Sequence, residues 1–210
     1  MILALVTLLG VLVPVPAGGT YHYVQIVNEK RVATESVAIR WSGTTVDVTE
    51  NRKPVDPNGV FVDSQTVFDA VSLSLKSYRS ILVQGCGELQ YNVDVRGSHV
   101  RAGDKQLDFG DASHFVMSDT VALPFFAAAQ LSLWRLGGTV AIDPVRPAGV
   151  AIERASNVDP ARPAGLPSTD ALLIVRSAGS KHVVSAVWYD PATSLVDEVD
   201  TPSMRWKRVP

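Results

Sequence analysis

The sequence predicts a mainly β protein: a curved antiparallel meander, or half-barrel, of about ten or eleven strands with one principal helix packed on its concave face. Three observations predict it. Apolar and polar residues alternate with a period of two along most of the chain, as a half-buried strand requires. The alternating runs are short and are punctuated by Gly, Pro, Asn and Asp. One passage, "PFFAAAQLSLWRLGG" (124–138), breaks the alternation with a run of Phe, Ala, Leu and Trp. Its only polar members before the glycines are Gln130, Ser132 and Arg135, so a helix here must be buried on more than one side.

The chain opens on "MILALVTLLGVLVPVPA" (1–17), which carries no charged side chain; the first charged side chain is Glu29. The apolar stretch is shorter than the roughly 20 residues that span a bilayer. Val15 and Ala17 stand at the small-residue positions of a signal-peptidase site. The expected organisation is therefore a signal peptide over 1–17 and a single β-rich domain over 18–210, exported to the periplasm or the extracellular space. The other reading of residues 1–17 is a buried N-terminal strand or helix. No other stretch is long enough to be a transmembrane segment.

"TYHYVQIV" (20–27) and "RVATESVAIRW" (31–41) flank "NEK" as a hairpin, with Val37, Ile39 and Trp41 on one face. "VDVTE" (46–50) follows with Val46 and Val48 inward, and a sheet that is polar on one face is usually antiparallel. "NRKPVDPNGVFVD" (51–63) reads as a loop, "SQTVFDAV" (64–71) as a short helical turn capped by Asp63 or Ser64, and "SLSLKSY" (72–78) as a strand or extended crossing. In "ELQYNVDVRGSHVRAGDKQLDFGD" (88–111), Leu89, Tyr91, Val93 and Val95 share a face, and two tight turns lead into two more strands. "SHFVMSD" is another extended piece.

The helix can be capped by Ser118 or Asp119, but Pro124 is tolerated best in a first turn, so it begins near Leu123. It ends at Leu136, before Gly137. Six further strand candidates follow: 138–144, 149–156, 170–177, 181–190, 194–200 and 204–209. A Pro-rich loop (157–169) separates two of them, and "DPATS" (190–194) carries a type I turn signal.

The order of parts resembles a group of bacterial exported domains of unknown function whose half-barrel is similar to the lipoprotein-carrier (LolA/LolB-like) fold. The resemblance rests on the exported start running into "TYHYVQIVNEKRVATESVAIR", on the helix "LPFFAAAQLSLWRL" interrupting the strands, and on the final hairpin "VWYDPATSLVDEVD". In that hairpin pattern a glycine usually follows the Thr, where this chain has Ser194. The resemblance implies a carrier that holds acyl chains or lipids between sheet and helix.

Composition narrows the function. With 19 basic and 21 acidic residues the net charge is −2, which argues against a nucleic-acid partner, since phosphate binding needs a basic face. Cys86 is the only cysteine, so no intrachain disulfide braces the fold. It sits in "QGCGE" and reads as a small buried residue in or beside a strand; a nucleophile would need a nearby base or cation. The nucleophile-elbow, zinc-protease, P-loop and dinucleotide motifs are absent. His99 and His114 lie near Asp104, Asp108 and Asp111, but turn chemistry accounts for these residues more simply than a metal. Asp190, Asp197 and Glu198 likewise read as turn and solvent-face residues.

The expected role is a non-enzymatic binding module without cofactor or metal, sheltering a hydrophobic small molecule or lipid between sheet and helix. Its candidate ligand-binding residues are Phe125, Phe126, Leu131, Trp134, Trp41 and Tyr91, because aromatics supply large apolar area. One alternative is an interaction domain with a solid core and an exposed edge strand for an envelope protein partner. The other is an unrecognised hydrolase using Cys86 or His99 and His114.

Overall fold

A computed structural model describes residues 5–8, 11–110, 112, 114–117, 122–136, 139–142, 161–176 and 183–210. Short alternating runs separated by turns can satisfy their backbone groups only by pairing with neighbours, and the meander does this in sequence. The strands are β1 (Leu5–Leu8), β2 (Val11–Pro14), β3 (Gly19–Val27), β4 (Lys30–Ser42), β5 (Thr45–Pro54), β6 (Phe61–Asp69), β7 (Leu75–Gln84) and β8 (Gly87–Arg96). Then come β9 (His99–Ala102), β10 (Lys105–Asp108) and β11 (His114–Met117), the helix α1 (Leu123–Leu136), β12 (Thr139–Ile142), β13 (Ala171–Arg176), β14 (Val183–Tyr189), β15 (Val196–Asp200) and β16 (Arg205–Val209).

Twelve strands form one antiparallel sheet in the order β10-β9-β8-β7-β6-β5-β4-β3-β16-β15-β14-β13. The sheet is mainly a meander and does not close, as the sequence predicts; β3 joins the C-terminal strands by pairing with β16. Three features differ from the sequence reading. The segment 64–71 is not a helical turn but belongs largely to β6, because Ser64, Thr66 and Phe68 all point inward and keep the period of two. The loop 51–63 is shorter than expected, since β5 continues to Pro54 and β6 begins at Phe61. Finally, β11 and β12 pair in parallel, with α1 as the crossover between them. The strand candidate at 149–156, and the possible caps at Ser118, Asp119 and Gly137, lie outside the described residues.

Inward residues of the sheet form straight cross-strand rows. One is Trp41–Val46–Phe68–Leu75 and the next is Ile39–Val48–Thr66–Tyr78–Val93. α1 lies on this apolar side. Leu123, Phe125, Phe126 and Ala127 to Ala129 are at most 2% exposed. Phe125 stacks on Phe68 at 5.2 Å between ring centres and meets Trp41 at 5.6 Å. Each large apolar side chain buried in this way contributes on the order of 1.5–3 kcal/mol. The absence of a hydrophilic face on α1 is thereby explained: the large sheet, including β15, covers one side, and β2, β11 and β12 contact the helix as well.

The N-terminal segment is extended. β1 and β2 pair antiparallel, Val13 and Val15 are buried, and the carbonyl of Pro16 accepts a hydrogen bond from Trp41 Nε1 at 3.2 Å.

Candidate ligand-binding face

The register places a polar strip beside the apolar rows on the same side of the sheet. Its inner row is Val37–Glu50–Ser64–Ser80–Tyr91, and its outer row is Glu35–Arg52–Val62–Leu82–Leu89. The inner row marks where the helix begins. Glu50 Oε1 accepts from the backbone N–H groups of Ala122 and Leu123, and Glu50 Oε2 accepts from Ser64 Oγ at 2.7 Å. A carboxyl group from β5 therefore caps α1, satisfying amides that the first turn of a helix leaves without partners. Burial pushes the Glu50 carboxyl up to about 8, and the neighbouring Glu35 carboxylate adds to the rise.

Glu35 is balanced by Arg52, whose Nε donates to Glu35 Oε2 at 2.8 Å. The Arg52 guanidinium also lies 5.7 Å from the centre of the Trp206 ring. Several polar atoms on this side are buried without a hydrogen-bond partner: Thr66 Oγ1, Glu35 Oε1 and both amide atoms of Gln130 on α1, while Ser80 Oγ lies beside the Tyr78 hydroxyl. Buried groups of this kind ordinarily cost about 1–3 kcal/mol each, so each asks for a reason. Beyond them the strip opens: Arg52, Val62, Leu82 and Tyr91 are half-buried and Leu89 is exposed.

The residues expected to line a ligand site are distributed unevenly. Tyr91 lies in the inner row and is half-buried. Trp41 is half-buried between Phe125 and the N-terminal segment. Phe125 and Phe126 are packed in the core, and Leu131 is half-buried against it. Trp134 belongs to α1, but its side chain lies outside the described residues.

The sequence reading did not single out Glu35, Glu50, Arg52, Ser64 and Ser80. A signal existed: Glu35 shares the parity of Val37 and Ile39, and Glu50 that of Val46 and Val48. A charge on the apolar side of an alternating strand marks a buried polar site.

Cys86 differs from its expected place. It is exposed in the two-residue turn between β7 and β8, where Gly85 has φ +57° and Gln84 pairs with Gly87. Glycines on either side of the cysteine mark a hairpin turn, which projects into solvent. His99 Nδ1 lies 3.7 Å from Asp108 Oδ2 on the exposed side of β9, whereas His114 is half-buried on β11 in a different sheet. Among the described residues no three His, Cys, Asp or Glu side chains gather to hold a metal. Asp197 and Glu198 are buried and not on a solvent face: Asp197 pairs with Arg208, and Glu198 lies on the opposite side of β15 beside Arg205 and Lys207. No helix among the described residues is long and apolar enough to cross a membrane.

No family model and no curated protein matches the chain. Among solved structures the chain is similar to a DUF1089 family protein from Pseudomonas aeruginosa. The identity is 17%, the match covers 81% of this chain and 89% of that one, and the TM-score is 0.48. The comparisons show no link to the lipoprotein carriers.

Proposed function

We propose that the protein is an exported, non-enzymatic binding module that holds a hydrophobic or lipid-like molecule on the concave side of the sheet beside α1. One observation carries this reading: a half-exposed apolar strip, Val62, Leu82, Leu89 and Tyr91, lies directly beside buried polar atoms that lack partners. A solid core has no use for such groups. A molecule with an apolar body and a polar end uses both, packing its body on the strip and turning its polar end toward Ser80.

In this reading Phe125 and Phe126 anchor the helix that walls the site, and Tyr91 lines it. Trp41, four strands away from Tyr91, packs on Phe125 and supports the helix rather than lining the strip. No cofactor or metal is needed. Strand addition at β10, one of the two terminal strands of the sheet, is less favoured: it has four residues and places Lys105 and Asp108 at the edge, which blunts pairing with another chain.

Titration with a fluorescent polyene fatty acid tests the proposal. Saturable binding is expected, with loss of at least about tenfold in affinity for Leu82→Asp, which sets a charge on the apolar strip. Equal affinity of the variant and the parent protein would remove the strip from the site.

A further inference from the structure

Among the described residues five large apolar side chains are exposed: Val55, Phe61, Val71, Ile81 and Leu89. Four of them gather at one end of the sheet, on or next to two adjacent hairpin tips. Phe61 and Val62 open β6 after the loop 55–60, and Ile81 to Val83 close β7 before the turn at Cys86. Phe61 pairs with Val83, and Val62 with Leu82. From Ser80 to Gly87 there is no charged residue, with Glu88 next beyond the turn, and from Val55 to Val62 there is only Asp56. Monomeric soluble proteins scatter exposed apolar residues singly; a charge-poor cluster marks a contact surface.

The faces on which these residues lie identify the contact. Register places Leu89, with Val62 and Leu82, on the concave side, and Phe61, Ile81 and Val83 on the opposite side of the same strands. A flat protein surface would cover one face of a hairpin and leave the other wet. Only a medium that surrounds the tips covers both. We propose that the β5–β6 and β7–β8 tips dip into the surface of a lipid bilayer, with Phe61, Ile81 and Leu89 in the interfacial layer. The scarcity of charge at the tips specifies the attraction as apolar, so the surface need not be anionic. The proposal rests on the binding reading for its purpose, because the concave strip opens at this same rim and a molecule leaving a bilayer would enter there.

The lone cysteine makes the test direct. The full chain is labelled at Cys86 with a polarity-sensitive fluorophore and mixed with vesicles of phosphatidylcholine. The expected result is a blue-shifted, brighter emission that persists when ionic strength is raised, with quenching by lipids brominated along the acyl chain. In the double variant Phe61→Thr, Ile81→Thr, which places a strand-favouring β-branched side chain at both positions, partitioning should fall about tenfold or more. Neither residue lies on the ligand strip, so the variant should still bind the fluorescent fatty acid in the absence of vesicles. An unchanged emission with vesicles overturns the proposal, as does undiminished partitioning of the double variant. Emission that shifts with protein concentration alone, together with a dimer mass by light scattering, would assign the rim to a second copy and also overturns it. Loss of fatty-acid binding with vesicle partitioning intact would sink the binding reading and leave the docking surface standing.

Discussion

Glu50 shows how one side chain links sheet to helix. Its two oxygens gather Ser64 Oγ and the first amides of α1, so truncation leaves those donors buried and unpaired. Glu50→Ala is expected to destabilise the protein by about 1–3 kcal/mol, and Glu50→Gln by less, because the amide oxygen still accepts. Chemical denaturation compares the two; equal stability of Glu50→Ala and the parent would show that the cap is idle. Ser194 is a second informative residue. It follows Thr193 in the β14–β15 turn with φ +54°, the left-handed region that glycine occupies without strain. Its amide donates to the Asp190 carbonyl at 2.7 Å, which fixes the conformation. The glycine usual at this place in similar hairpins thus has a backbone reason. Ser194→Gly should stabilise the protein by about 0.5–1 kcal/mol, the strain relieved less the added freedom of the unfolded chain. A lower melting temperature would contradict that.

At the scale of elements, the sequence is most legible where one pattern dominates. Alternation located β4 and β8, and Pro124 placed the start of α1 at Leu123. It misled where inward positions were polar: Ser64 and Thr66 hid the alternation of β6 behind a cap-like Asp63-Ser64 pair. The parallel pairing of β11 with β12 and the capping of α1 by a residue 72 positions earlier are long-range facts without a local signature. The candidate site was half legible. Aromatic residues drew notice, whereas Glu35 and Glu50 were masked by the apolar neighbours whose parity they share. Two element-scale outcomes follow from the packing of α1. Phe125→Ala should cost about 3–5 kcal/mol, since Phe125 is fully buried against Phe68 and Trp41. A protein beginning at Gly18 should show red-shifted tryptophan emission relative to the full chain, because Trp41 loses the Pro16 acceptor and its cover. An unshifted spectrum would show that the N-terminal segment does not shield Trp41.

For the molecule as a whole, buried acids set the dependence of stability on pH. Burial raises Glu50 to about 8, Glu198 to about 7 and Asp170 to about 6, each helped by a neighbouring carboxylate. An acid with a raised value binds its proton more tightly folded than unfolded, so stability is fullest below the ordinary carboxylate range and declines as pH rises through the raised values. Asp69 acts oppositely. Its partial burial is outweighed by the amides of Ser72 and Val71 and by Lys76, which hold it at about 2, so its contribution is lost only in strong acid. The melting temperature should therefore fall from pH 5 to pH 8, with a shallower fall in Glu50→Gln; a rise over that interval would contradict the assignment. The proposed function gives the large open sheet, the helix on one side of it and the partly polar strip one joint purpose, to hold a hydrophobic molecule. The most direct measurement is mass spectrometry of an organic-solvent extract of the protein, expressed with its own N-terminal segment and purified without detergent. The account predicts a stoichiometric hydrophobic or lipid-like species, reduced in Leu82→Asp. A clean extract, repeated after incubation with envelope lipids, would contradict it and leave α1 as the plug of a solid core.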